Sequence, residues 1–206
     1  MSNQNELNMD MIETLGPEFT VFVGLLLIMI VPNLGNGTFR VPGTSIRLPW
    51  FLGGTRYKVV ASPRLPGLLA VLTMAVALIQ VIWYLCDSSA ADGKVISSEN
   101  GIEIFKVNMF SRIFEAIFFA ALLLAAIASL DRLPTGSQKS DDIDVLFNNR
   151  RQADFYILML TSALGMSVVA LAQDMFVLFV GLELASFSTY VLVAFHKETR
   201  AGSEGG

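Results

Sequence analysis

Asp174-Met-Phe-Val-Leu-Phe-Val-Gly-Leu-Glu183-Leu-Ala-Ser-Phe-Ser-Thr-Tyr-Val-Leu-Val-Ala-Phe195 is an apolar run with a single carboxylate in its middle. From Met175 to Phe195 it predicts roughly 31 Å of helix at about 1.5 Å per residue, the depth of a bilayer's hydrocarbon core. Glu183 lies near its centre. An ionisable group at that depth costs about 2.5–3.5 kcal/mol on insertion scales, so it is kept where it has a task, proton and ion relays foremost. The plainer alternative is a neutral, hydrogen-bonded glutamate that only joins helices.

Composition extends the membrane reading to the whole chain. Of its 206 residues, 53% are hydrophobic and 16% charged, and the mean hydropathy is +0.59. Those values describe an integral membrane protein, not a soluble domain. The net charge of −4 averages loops on opposite sides of a membrane; it says little about partners, and no nucleic acid is expected. Cys86 is the only cysteine and His196 the only histidine. An iron–sulfur cluster needs several thiolates and a bis-histidine haem two imidazoles, so neither can be built from this chain. No Gly-rich phosphate loop, nucleophile–base pair or zinc spacing occurs. The expectation is a chain that holds no cofactor and carries no electrons. Cys86 reads as a small packing residue at a helix end, and His196 as an interfacial cap at a helix C-terminus.

Five apolar segments predict an all-α, polytopic membrane protein with spans at 17–34, 65–85, 110–130, 155–171 and 175–195. Pro17 and Glu18 suit the start of the first, Pro66 the first turn of the second. Gln173 and Asp174 are the only polar residues separating the last two, which predicts a tight helical hairpin. Residues 1–16 carry acidic but no basic side chains, the wrong sign for a cleavable signal. Segments 35–64, 131–154 and 196–206 hold eleven basic residues: Arg40, Arg47, Arg56, Lys58, Arg64, Arg132, Lys139, Arg150, Arg151, Lys197 and Arg200. The opposite side holds three, Lys94 and Lys106 in the 86–109 loop and Arg112 at the start of the third span. The positive-inside rule then puts residues 1–16 outside a cell membrane and the tail in the cytoplasm. Thr38–Leu48 with Thr55–Val60 could form a short strand pair. Residues 134–149 have no calcium-loop spacing and read as a solvated linker.

The fifth span carries a polar stripe. Ser186 and Tyr190 follow Glu183 by three and seven positions, on one helical face. A carboxylate, a hydroxyl and a phenol so aligned can order water and pass protons. A packing face of small residues, Gly181, Ala185 and Ser186, is the competing use of the same helix, and the two are compatible. Glu115 follows Arg112 by three residues, a spacing that favours an intrahelical ion pair of structural use. Asp174 complements the dipole at the start of the fifth span. No lysine lies inside any predicted span, so a cationic partner for Glu183 must come from elsewhere.

Residues 153–197, Ala-Asp-Phe-Tyr-Ile-Leu-Met-Leu-Thr-Ser-Ala-Leu-Gly-Met-Ser-Val-Val-Ala-Leu-Ala-Gln-Asp-Met-Phe-Val-Leu-Phe-Val-Gly-Leu-Glu-Leu-Ala-Ser-Phe-Ser-Thr-Tyr-Val-Leu-Val-Ala-Phe-His-Lys, resemble the fourth and fifth helices of antiporter-like proton pumps. The likeness is to subunit N of respiratory complex I (NADH:quinone oxidoreductase) and its archaeal counterpart in deazaflavin-dependent dehydrogenases. In that family the glutamate of Gly-Leu-Glu-Leu is the fifth-helix carboxylate of a proton half-channel, a role the resemblance gives to Glu183. Family members run far beyond five helices, and their key lysines lie on later ones. This sequence ends at Ala-Gly-Ser-Glu-Gly-Gly, so the resemblance covers an N-terminal part only. The missing helices are expected from a second polypeptide, or to have been lost by truncation.

The resemblance implies a non-redox, proton-translocating subunit of a redox-driven NADH (or reduced deazaflavin):quinone or phenazine oxidoreductase. Its implied partners are the other membrane and peripheral subunits and the lipid bilayer. A subunit of a multisubunit cation/proton antiporter is the alternative, and a passive membrane scaffold a third.

Overall fold

The structure, a computed structural model, describes residues 14–30, 38–40, 47–49, 65–86, 94–97, 101, 103–130 and 143–194. Its frame is five helices: α1 (Gly16–Ile30), α2 (Leu65–Cys86), α3 (Met109–Ser129), α4 (Ile143–Leu171) and α5 (Met175–Val193). Four of them are long and apolar enough to cross a membrane. The fifth, α1, is apolar but has 15 residues, about 22 Å of helix against a core of about 30 Å. The predicted first span ends at residue 34 and the predicted last at residue 195; residues 31–34 and 195 lie outside the described residues, as do His196 and Lys197.

Local chemistry sets the helix ends. Asn108 and Ser111 form a reciprocal capping box on α3: Ser111 N–H donates to Asn108 Oδ1 at 2.8 Å and Asn108 N–H to Ser111 Oγ at 2.9 Å. Asp174 caps α5 by accepting from the N–H groups of Phe176 and Val177. Pro66 sits in the first turn of α2, where its missing N–H costs nothing. The 131–154 segment, read as a loop, departs from that reading, because α4 begins at Ile143. At 29 residues it would be about 43 Å long, well beyond a bilayer. Its apolar stretch is Gln152–Leu171; the earlier turns need no apolar pattern if they stand in water.

The helices run up and down around one core of Val21 and Ile28 (α1), Ala70, Met74, Ala77 and Val81 (α2), Phe119 and Ala126 (α3), and Tyr156, Met159, Leu160 and Ala163 (α4). Small residues bring the backbones close, as helices without a hydrophobic drive between them require. Gly24 of α1 accepts the Thr73 side chain of α2, where any Cβ would overlap it. Thr20 also donates to Gln80 Oε1 at 2.8 Å. Helix α5 packs along α4, leaving its other sides open.

Two antiparallel strand pairs occupy the connections. β1 (Thr38–Arg40) pairs with β2 (Arg47–Pro49), Phe39 opposite Leu48. The expected partner strand, Thr55–Val60, lies outside the described residues; the observed pair instead joins the two ends of the first predicted segment, extended to Pro49. β3 (Lys94–Ser97) pairs with β4 (Glu103–Val107), with a register shift at Ile96/Ser97. Gln173 N–H donates to Ile104 O at 3.0 Å and Phe105 bridges to Ala172. This hairpin therefore lies on the α4–α5 turn, at the bundle end where α1, α3 and α5 begin.

Candidate functional site

Glu183 stands eight residues into α5, about 12 Å along its axis. The side of α5 that meets α4 is built from Gly181, Ala185 and Ser188. A Cβ on Gly165 would lie 2.5 Å from Ala185 N, and one on Gly181 would lie 2.9 Å from a Val168 methyl. Ser188 is buried and Thr189 contacts Ser162 at 3.3 Å. The small-residue packing face thus exists through Gly181 and Ala185, with Ser188 in the place expected of Ser186. Glu183 is two positions from both Gly181 and Ala185, about 200° of rotation at 3.6 residues per turn. It points away from α4 and is exposed.

Tyr190, 71% exposed, shares that open face with Phe176, Phe179 and Phe187, and Ser186 is half-buried at its edge. The predicted stripe of Glu183, Ser186 and Tyr190 is one face in space, but among the described residues no hydrogen bond joins the three. No cation approaches Glu183 among the described residues either.

The second constellation is buried. Arg112 and Glu115 of α3 form the i,i+3 pair, Nη1 to Oε2 at 2.6 Å. Glu18 of α1 joins them, its Oε1 3.2 Å from Arg112 Nη1. Arg112 Nη2 donates to the Thr14 carbonyl, and its guanidinium lies 5.0 Å over the Tyr84 ring of α2. Ser167 of α4 completes the set, with Oγ 2.7 Å from Glu115 Oε1 and 3.0 Å from Glu18 Oε1. Four helices therefore meet at one charged knot. The side chains of Arg112, Glu115 and Glu18 are 2%, 0% and 13% exposed.

Sequence reasoning found the Arg112–Glu115 half through its spacing. It missed Glu18, read only as a helix-dipole residue, and Ser167, read as nothing. The available signal was placement: Glu18 and Arg112 both open apolar helices that begin at the same end of the bundle. Cys86, expected to pack, is instead exposed, because the last residue of α2 lies beyond the core formed by Ala77 and Val81. Among the described residues no group of three or more histidine, cysteine or acidic side chains could hold a metal ion.

No protein-family model matches the chain. It is 34% identical over 103 residues to the NADH-quinone oxidoreductase subunit N of Brevibacillus brevis, covering 50% of this chain and 18% of that protein. It is 32% identical over 103 residues to the F(420)H(2) dehydrogenase subunit N of Methanosarcina mazei, again 50% of this chain and 18% of the relative. A NADH-quinone oxidoreductase subunit N from a Paenibacillus species is 29% identical over 199 residues, 92% of this chain and 32% of its own length. The resemblance to subunit N read from residues 153–197 is borne out by these relatives, of whose length the chain spans between 18% and 32%.

Proposed function

We propose that this chain is a proton-translocating membrane subunit of a redox-driven oxidoreductase, one that couples oxidation of NADH or a reduced deazaflavin to reduction of a quinone or phenazine. The observation that carries the proposal is Glu183: a carboxylate at mid-depth of α5, turned away from α4, the helix along which α5 chiefly packs among the described residues. Facing lipid, such a group is costly and without use; facing protein, it lines a polar path. The likeness to subunit N of an NADH-quinone oxidoreductase and of an F(420)H(2) dehydrogenase supports the reading.

In this reading Glu183 is the proton-carrying group of a half-channel, with Ser186 and Tyr190 ordering water along the same face. Its cationic partner comes from helices of the assembly beyond α5. Electron transfer belongs to other subunits. The N-terminus faces outward and the tail the cytoplasm, by the eleven-to-three basic asymmetry.

The experiment is a mild purification of the tagged chain from its native membrane, followed by reconstitution into vesicles. The proposal expects co-purifying cofactor-bearing subunits and an internal pH change on adding NADH or reduced deazaflavin with a quinone or phenazine. Co-purification with transport subunits alone, and cation-for-proton exchange without any electron donor, would contradict it in favour of the antiporter reading.

A further inference from the structure

Ser167 has one hydroxyl proton to give, yet its Oγ lies within hydrogen-bond distance of two carboxyl oxygens, 2.7 Å from Glu115 Oε1 and 3.0 Å from Glu18 Oε1. A hydroxyl donates once and accepts through its lone pairs. Both contacts are satisfied together when Ser167 donates to one carboxylate and the other carboxyl donates an O–H to Ser167. Charge gives the same answer. Two ionised glutamates against one guanidinium leave a net −1 in a buried site, and two carboxylates sharing a site do not both ionise.

The groups facing the pair come from every helix packed around it. They are the Thr14 carbonyl ahead of α1, Tyr84 from α2, Arg112 from α3 and Ser167 from α4. Among the described residues no second cation reaches it. Two atoms within the knot, Glu18 Oε2 and Arg112 Nε, are buried without a partner there.

We propose that Glu18 and Glu115 form a second protonatable site, distinct from Glu183, in which the two carboxyl groups share one proton on a scaffold of Arg112 and Ser167. The site exchanges with water at one end of the bundle only. Beyond it, towards the other end, the core face continues as Ala163, Leu160 and Met159 of α4, Phe119 of α3 and Met74 and Ala77 of α2, all buried and apolar. Glu18, the most exposed member, is its route to water on the side of the β3–β4 hairpin. A proton arriving there is taken up by the Glu18 carboxylate, shared with Glu115 through Ser167 Oγ, and leaves by the same path.

The inference stands on the buried knot and is independent of what Glu183 does. Infrared spectroscopy of the full 206-residue chain in lipid nanodiscs tests it, with Glu183→Gln as background to remove the carboxyl at the middle of α5. At neutral pH the expected spectrum holds the C=O stretch of one protonated carboxylic acid per chain. That band should be lost in Glu18→Gln and in Glu115→Gln alike, since each variant leaves one carboxylate for one guanidinium. Ser167→Ala, which keeps both carboxyls and the ion pair, should shift the band without removing it. No band in the Glu183→Gln chain, or one that survives either glutamine substitution or ignores Ser167→Ala, overturns the shared site.

Discussion

Arg112 is the residue on which the charged knot depends. It bonds two carboxylates and a backbone carbonyl and lies against an aromatic face. Removing it leaves two buried acids without a counter-charge, whereas removing one acid leaves a matched pair. Breaking a buried ion pair from one side typically costs about 3–5 kcal/mol. Arg112→Met should therefore lower the thermal midpoint of the detergent-solubilised chain far more than Glu18→Gln; equal losses would deny Arg112 that role. Asp174→Ala removes a cap instead and should cost about 0.5–2 kcal/mol, a smaller shift in the same melt. Sequence spacing exposed the Arg112–Glu115 pair because both lie on one helix. Glu18 is 94 positions from Arg112, and Ser167 is 52 from Glu115. Only the folded arrangement of four helices brings them together.

Among the elements, the α4–α5 hairpin is the one most fully written in the chain. Gln173 and Asp174 break the apolar run, Asp174 caps the next helix, and Gly165, Gly181 and Ala185 permit close approach. Gly165→Val would drive a branched side chain into the Ala185 backbone. Overpacking of this kind costs about 1–3 kcal/mol, read as a lower melting midpoint and as faster proteolysis at the α4–α5 turn. Gly101→Ala, at a position with φ +76° and open space around it, strains only the β3–β4 turn and should leave the helical melt unchanged. The strand pairs and the first turns of α4 were less legible. Short strands in polar connections lack the sustained alternation that marks a half-buried strand. A helix that continues past the bilayer into water gives up the apolar pattern by which spans are recognised, so Ile143 was not distinguishable from loop.

At the scale of the whole molecule, the described helices make a core of α1 to α4 with α5 at its margin, its outer side open. The core is sealed by α1 to α4, and α5 presents Glu183, Tyr190 and three phenylalanines outward. The larger helical assembly proposed above would give that open side a partner. Orientation is tested by labelling with a membrane-impermeant thiol reagent in a Cys86→Ser background, needed because Cys86 is exposed. Ser97→Cys should label from outside intact cells and Gln138→Cys should not; the reverse would invert the topology and the leaflet from which Glu183 is reached. The direct test of the central claim is Glu183→Gln, which keeps shape and hydrogen bonding and removes only titration. Electron transfer and proton uptake are measured together in vesicles bearing the assembled complex. The account predicts electron transfer to artificial acceptors largely intact with most proton translocation gone, partial recovery in Glu183→Asp, and a milder effect of Glu115→Gln. A full proton gradient in Glu183→Gln vesicles would contradict it and leave the carboxylate as a link between helices.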